Sequence, residues 1–187
     1  VDRVASFSLG SAVLEGVYVQ DPQGRSVLSI KTLEVDFDLT ALLRREAHLT
    51  RMHAKGARAR LIPSEVASVS LFEAFLPRPS RQPSAADESS FSVRFDGIVL
   101  EQAELYGSVP GLNGIRAHDV NAAASIRAGA AFDAEITRLV GRVTAPFTEP
   151  FALERSKLRI TTSPAFLLSG AFRIARAADR ARVKLSY

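Results

Sequence analysis

The residues that could do chemistry are few in this 187-residue chain, and they are widely separated. The three histidines, His48, His53 and His118, form no pair at i and i+4 on a predicted helix with a glutamate between them, as a zinc hydrolase motif requires. Cysteine is absent, which excludes a disulfide framework, a thiolate zinc site and a cysteine nucleophile. No P-loop, nucleophile elbow or dinucleotide-binding glycine pattern occurs, because the glycines in 107–114 have the wrong spacing. The sequence therefore predicts a protein that is not an enzyme and holds no metal or cofactor.

One row of acidic residues could bind a cation. Glu34, Asp36 and Asp38 alternate along a predicted strand and would share one face. Such rows can bind calcium. The other interpretation is the solvated side of an amphipathic strand, because every intervening residue in 33–39 is apolar. We expect the second.

The element that carries this row is a predicted hairpin over residues 14–39. Its turn, at 21–24, has the sequence Asp-Pro-Gln-Gly, with proline and glycine where a type I turn prefers them. In the second strand the apolar phase is even up to Ile30 and odd from Leu33. A one-residue change of phase indicates a bulge, placed at residues 31–32, which would curve the sheet.

Two short helices are predicted after this hairpin. Residues 40–46 form one or two turns capped by Thr40, with Leu42 and Leu43 turned inward. Residues 64–76 have apolar positions at three- and four-residue spacing, which predicts an amphipathic helix packed on the sheet. A partner-binding or membrane-surface helix is the alternative, although the lysine-rich polar face typical of the latter is missing.

Between these helices the pattern returns to alternation. In 47–63 it places Leu49, Arg51 and His53 on one strand face. The basic residues of this strand are spaced as solvated side chains would be, and a basic binding site is the alternative.

Composition divides the chain into three parts. Residues 1–76 are β-rich and end in the amphipathic helix. Residues 77–90 contain three prolines, four serines and no large apolar side chain, so they should form a disordered loop or linker. Residues 91–187 are again β-rich and are expected to continue the same sheet. Most turns between predicted strands are short and polar, which favours antiparallel order.

Charge and hydropathy restrict the partners. The chain is 47% apolar and 24% charged, with a net charge of +4 and both signs interspersed. That balance gives only weak support for nucleic-acid binding or for attraction to anionic lipid, and we expect neither on this ground. No apolar run is long enough to span a bilayer as a helix. The sequence starts at Val1 within a strand-like pattern, so we expect a longer protein whose targeting or anchoring segment lies outside these residues.

The segment from Leu14 to Pro63, LEGVYVQDPQGRSVLSIKTLEVDFDLTALLRREAHLTRMHAKGARARLIP, resembles the AsmA-like and TamB-like proteins of the Gram-negative envelope. In that family a strand ending in an Asp-Pro-x-Gly turn is followed by an alternating strand, a short helical turn, and a strand ending in a "gaxaxl" element. FSVRFDGIVLEQAELYG at 91–107 and LERSKLRITTSPAFLLSGAFRI at 153–174 are similar to its recurring strand-plus-glycine units.

This resemblance implies a periplasmic protein anchored in the inner membrane, whose long curved sheet forms a taco-like groove with an apolar interior. Such proteins are associated with lipid movement between the two membranes or with assembly of outer-membrane proteins. The fold expected here is mainly β: a long curved antiparallel sheet forming a groove, with one or two short helices. A sandwich of two sheets is the alternative.

The first functional hypothesis is a lipid-handling segment that binds phospholipid or another acyl-chain lipid on its apolar side. The lining residues are expected to be Val35, Phe37, Ile98, Leu100, Phe166, Leu168 and Phe172. The second hypothesis is a scaffold for outer-membrane protein assembly that offers an open sheet edge to a client strand. The third is a plain β-sandwich spacer domain with a closed core.

Overall fold

A computed structural model of the chain describes residues 1–64, 68–74, 92–128, 132–147, 149–161, 167–176 and 180–186. The elements in chain order are β1 (Arg3–Ser8), β2 (Ser11–Gln20), β3 (Ser26–Asp38), α1 (Leu39–Leu42), β4 (Glu46–Leu61), β5 (Pro63–Ser64), β6 (Ser68–Val69), α2 (Ser70–Glu73), β7 (Ser92–Val109), β8 (Leu112–Ala128), β9 (Phe132–Ala145), β10 (Phe151–Thr161), β11 (Leu167–Ala175) and β12 (Arg180–Ser186). Within the described residues, no helix is long and apolar enough to cross a membrane.

Ten of these strands form one sheet in the order β1-β2-β3-β4-β7-β8-β9-β10-β11-β12, and β5 pairs with β6 alone. The predicted mainly-β fold with short helices is confirmed. All neighbours in the large sheet are antiparallel except β4 and β7, which are parallel. A parallel pair requires the chain to return along the whole strand length before pairing again. The sheet is therefore mixed at this one junction, and the strands after residue 91 continue the sheet formed by those before it.

The predicted turn at 21–24 is present. The N–H of Gly24 donates to the carbonyl of Asp21 at 2.9 Å. The Asp21 carboxylate accepts from the N–H groups of Gln23 at 3.1 Å and Arg25 at 2.8 Å. Burial would raise the pKa of Asp21, but these bonds and the Arg25 guanidinium outweigh it and hold the pKa below its ordinary value. The turn thus fixes the register of β2 on β3.

The predicted change of phase in β3 is present in a different form. Ile30 and Leu33 both belong to one buried cluster, although they are three residues apart. The register of β3 with β2 and with β4 does not shift there. In β4, Ala54 and Ala57 of the same cluster are also three apart, with Gly56 between them at a φ of +65°. Strands β3 and β4 therefore both place two residues that are three apart on the same face, at paired positions. No local bulge is needed at residues 31–32.

Helix α1 departs from the prediction in its cap and its orientation. Asp38 is the N-cap, and its carboxylate accepts from the N–H of Thr40 at 2.9 Å and from the Thr40 hydroxyl at 2.7 Å. The prediction of an inward Leu43 is wrong, because this side chain is 88% exposed. This single helical turn buries Ala41 and leaves Leu43, just after its end, exposed. The side chain of Leu42 is not among those described.

The predicted amphipathic helix over 64–76 is wrong in its described part. Ser64 in β5 pairs with Ser68 in β6, and the helix is limited to Ser70–Glu73. Serine and β-branched valine favour turns and strands over helix interiors, which accounts for the difference. Residues 65–67 and 75–76, with the predicted linker at 77–90, lie outside the described residues.

The described residues form no closed core. The central cluster consists of Ile30, Leu33, Ala54, Ala57 and Ala103, all from adjacent strands of the same sheet. The largest fully buried apolar side chain described is a valine, at position 27. The accessible surface of the chain is 12585 Å², about 1.4 times the roughly 8,800 Å² expected of a compact protein of this mass. The described residues of the large sheet therefore form a single layer.

Candidate functional site

The register of the large sheet shows which side chains share a face, because residues paired across neighbouring strands project to the same side. One line of paired positions crosses nine strands, from β1 to β11, and every member is apolar or glycine. This line, row A, consists of Phe7, Ala12, Val35, Met52, Ile98, Ala124, Ile136, Leu158 and Gly170.

Three further lines on the same side have the same character. Row B consists of Val4, Leu14, Leu33, Ala54, Leu100, Ala122 and Leu139. Row C consists of Phe37, Leu49, Phe95, Ile126, Ala134 and Ile160. Row D consists of Val19, Leu28, Ala59, Leu105, Ala117, Val143 and Phe151. Rows A to D are called the apolar face.

The central residues of the apolar face are partly shielded, whereas Phe7 and Val4 at its β1 edge are 74% and 56% exposed. No second layer of described residues covers this face. Val35, Ile98 and Ile136 are half-buried, and Leu33 and Ala134 are less than 9% exposed, at 8% and 7%. Side chains on the concave side of a curved sheet crowd one another, and bulges increase such curvature. Register shifts occur in most strand pairs of this sheet. Half-burial of this kind is expected on the concave side of a curved sheet. We therefore interpret the apolar face as the concave side and refer to it as the trough.

The residues predicted from sequence to line this side are largely brought together. Val35 and Ile98 lie in row A, Leu100 in row B and Phe37 in row C. The backbone of Leu168 pairs with row C at Ile160, but its side chain is not among those described.

Phe172 lies two residues beyond Gly170 of row A, so it projects to the same side. A Cβ at Gly170 would lie 3.1 Å from the Phe172 ring and 3.0 Å from Leu158 Cδ1. The missing side chain at Gly170 therefore gives the ring its space. A shallow open hollow of about 240 Å³ between β9, β10 and β11 is lined by Ile136, Leu158 and Gly170, and also by residues of the opposite face such as Glu135, Lys157 and Arg159. Phe166 lies outside the described residues.

Sequence reasoning missed the small residues of the apolar face. Ala54, Ala57, Ala103, Ala122 and Ala124 lie at its centre, on β4, β7 and β8. They were not predicted because the expected lining residues were all large apolar side chains. The sequence feature that could have identified them is the pair of alternate alanines Ala122 and Ala124, which share one face of β8. These small side chains make the floor of the trough deeper than leucine or phenylalanine would.

The opposite face is charged, and its ion pairs join neighbouring strands. Arg51 and Asp36 lie 2.8 Å apart between β4 and β3. The remaining pairs on this side include Arg58 with Glu104 at 3.0 Å and Arg159 with Asp133 at 3.1 Å. The Asp36 carboxylate is thus engaged, Asp38 caps α1, and Glu34 lies 3.8 Å from His53. In the described parts of the chain, no three potential metal ligands converge.

His48 is also bound in this face. Its Nε2 lies 2.7 Å from Asp96, and its Nδ1 lies 3.8 Å from Asp38. The hydrogen bond from Arg94 Nε, at 2.6 Å, and then that from His48 hold the pKa of Asp96 below its ordinary value. The two carboxylates lie on opposite ring nitrogens, so they cannot share one metal ion. His53 Nε2 lies 3.1 Å from Glu101, in a geometry that is not a hydrogen bond.

The chain matches no model of a known protein family, and no curated protein sequence matches it.

Proposed function

We propose that the chain is a non-enzymatic, lipid-handling segment that binds the acyl chains of phospholipid in the trough of its apolar face. In line with the resemblance to AsmA-like and TamB-like proteins, we place it in the periplasm, in a protein anchored in the inner membrane by residues outside this sequence. Its role there is phospholipid transfer between the inner and outer membranes.

The observation that carries this proposal is row A, an unbroken apolar line across nine strands over which none of the described residues forms a second layer. At ~4.8 Å between strands, nine strands extend over roughly 40 Å, which exceeds the ~30 Å hydrocarbon thickness of a bilayer. A single acyl chain fits within that length. Its burial is favourable by roughly 0.8 kcal/mol for each methylene removed from water. A path that is apolar throughout lets a chain move without exposing methylenes to water.

The experiment uses two adjacent alanines of β8 that face opposite sides. Ala124 lies in row A, whereas Ala123 pairs with Val99 and Arg138 on the charged face. The protein is incubated with phospholipid vesicles, re-isolated and examined by native mass spectrometry. The wild type should carry phospholipid, and Ala124→Glu should carry at least fivefold less, because a carboxylate in an apolar trough repels the chain.

Ala123→Glu is the matched control, since its carboxylate would face Arg138, and it should carry lipid like the wild type. Circular dichroism establishes that both variants fold. A wild type that carries no phospholipid, or an Ala124→Glu variant that carries as much as Ala123→Glu, would refute the proposal.

An assembly scaffold is the second candidate, favoured by the open edge of the sheet. Every residue of β1 is exposed, and β1 has β2 as its one neighbour in the large sheet. Because the chain has no cysteine, single cysteines can report on partners. Under this alternative Ser6→Cys on β1 would crosslink to a protein, whereas Lys55→Cys in the sheet centre would not.

A spacer domain with a closed core is not favoured. Such a core would fully bury leucine, isoleucine or phenylalanine side chains. Among the described residues the largest fully buried apolar side chain is Val27.

A further inference from the structure

One end of the sheet exposes large apolar side chains at the turns. Leu9 in the β1–β2 turn is 85% exposed and Leu43 after α1 is 88% exposed. Phe7 is 74% exposed and Leu39 is 39% exposed. Exposed apolar side chains that cluster in this way mark interaction sites in soluble proteins.

Phe7, Leu9 and Leu39 lie at the same end of the sheet, and Leu43 follows the single turn of α1 that begins at Leu39. The N–H of Phe37, near the end of β3, donates to the carbonyl of Gly10 at 2.9 Å, so the β1–β2 turn lies beside the start of α1. The rings of Phe7 and Phe37 stack with centroids 6.4 Å apart. Leu9 and Leu39 therefore project from neighbouring strand ends.

Two exposed arginines complete this surface. Arg44 and Arg45 directly follow Leu43, and neither forms an ion pair with another described residue. Of the carboxylates near this end, Asp38 caps α1 and Asp96 binds Arg94. Asp96 and, to a smaller extent, Glu46, which is next to Arg45 in sequence, raise the pKa of the Arg94 guanidinium. Glu46 thus lies near Arg94. The set of Phe7, Leu9, Leu39, Leu43, Arg44 and Arg45 is called the tip.

We propose that the tip docks on an anionic lipid bilayer. Its leucines and phenylalanine would enter the boundary between headgroups and acyl chains, and its two arginines would bind headgroup phosphates. Arginine is suited to this, because its planar guanidinium binds phosphate through two parallel hydrogen bonds. Binding of a protein at the tip is the competing outcome, and the test below distinguishes it from binding of a bilayer.

This inference goes beyond acyl-chain binding and does not depend on it. The two surfaces meet at Phe7, which belongs to both row A and the tip and stacks on Phe37 of row C. The tip would therefore place one end of the apolar face at a membrane surface.

The test is co-sedimentation with vesicles of phosphatidylcholine alone or mixed with phosphatidylglycerol. The wild type should bind the anionic vesicles and bind the neutral ones far more weakly. Leu9→Ser with Leu43→Ser removes the apolar contacts. Arg44→Gln with Arg45→Asn removes the charge, and asparagine tolerates the φ of +58° at position 45. Each double variant should weaken binding about tenfold or more, since each basic residue contributes about fivefold near an anionic surface.

The control is Phe147→Ser with Arg142→Gln, which removes an exposed phenylalanine and an exposed arginine at the opposite end of the sheet. It should bind like the wild type. Wild-type protein that ignores anionic vesicles, tip variants that bind normally, or a control that loses as much would overturn the proposal. Tip-dependent crosslinking to a protein without vesicle binding would also overturn it. Lipid content by native mass spectrometry is a separate readout, so failure of docking and failure of acyl-chain binding can be told apart.

Discussion

Gly107 lies at the parallel junction of β4 and β7 and has a φ of +130°. A Cβ there would overlap the backbone carbonyl of Leu61, which cannot move aside as a flexible side chain could. Gly107→Ala should therefore lower the free energy of unfolding by about 3 kcal/mol or more, measured by urea denaturation.

Gly111 provides the comparison. Its φ is +82°, but a Cβ there would meet nothing within 4 Å. Gly111→Ala should cost only the backbone strain, about 1 kcal/mol. Equal losses in the two variants would mean that the approach of Leu61 to Gly107 contributes nothing.

Asp96 is predicted to make stability depend on pH in the acid range. Arg94 and then His48 hold its folded-state pKa below the ordinary value of 3.8. The folded protein thus binds fewer protons than the unfolded chain. The resulting stabilisation is complete above the unfolded pKa and is lost as the pH falls through the folded pKa.

The measurement is the midpoint of thermal unfolding as the pH is lowered from about 5 to about 3. It should fall more steeply for the wild type than for Asp96→Asn, which should already be less stable at neutral pH. Parallel curves for the two proteins would contradict the predicted role of Asp96.

Individual lining residues could be predicted from sequence where a strand is regular. Val35 and Phe37 were identified because two-residue alternation holds through that part of β3. Leu49 was assigned to the wrong face, beside Arg51, because β4 has an extra residue between positions 49 and 52. Local alternation cannot detect such a residue without the neighbouring strand.

At the scale of elements, β4 and β7 make this irregular step together. Leu49 and Met52 are three residues apart on the apolar face, and so are Phe95 and Ile98, with which they pair. The neighbours β3 and β8 take two residues over the same distance. The extra residue of one strand is therefore matched by that of the other.

Deletion of Thr50 and Gly97 tests this matching. A Cβ at Gly97 would lie 3.2 Å from the Thr50 carbonyl, so the two irregular positions touch. Either deletion alone should lower the free energy of unfolding by about 3 kcal/mol, because one strand is then out of phase with its neighbour. The double deletion should lower the free energy of unfolding by less than half of the sum of the two single losses, because the two strands are then in phase again. A double-mutant cycle measures this difference. If the double deletion lowers the free energy of unfolding by the sum of the two single losses, the irregular positions in β4 and β7 are independent of each other.

Elements whose form is set by neighbouring residues could be predicted from the sequence. Elements whose form depends on residues distant in the chain could not. The hairpin turn at 21–24 has proline, glycine and a capping aspartate, so its identification needed no tertiary information. The helix expected over 64–76 rested on apolar spacing alone. Ser64–Ser68 pairing and the hydrogen bond from the N–H of Ser70 to the carbonyl of Ile62, at 2.9 Å, hold that segment instead. The parallel pairing of β4 with β7 has no local signal.

At the scale of the whole molecule, a single-layer sheet should expose little additional apolar surface on unfolding. A compact domain of 187 residues would have a heat-capacity change of roughly 2.5 kcal/mol/K. We expect differential scanning calorimetry of this chain to give a value below ~2 kcal/mol/K, since its apolar face is already partly hydrated. A value at or above that of a compact domain would mean that a covered core exists.

The most direct test of lipid binding on the apolar face is photocrosslinking from two adjacent positions of β7. A photoreactive residue replaces either Ile98, in row A, or Val99, on the charged face and 38% exposed. Each protein is mixed with vesicles containing radiolabelled phospholipid and irradiated. We predict labelled adducts from position 98 and at most a tenth as much from position 99, because only position 98 faces the trough. Equal labelling at both positions, or no labelling at position 98, would contradict the assignment of the apolar face as an acyl-chain site.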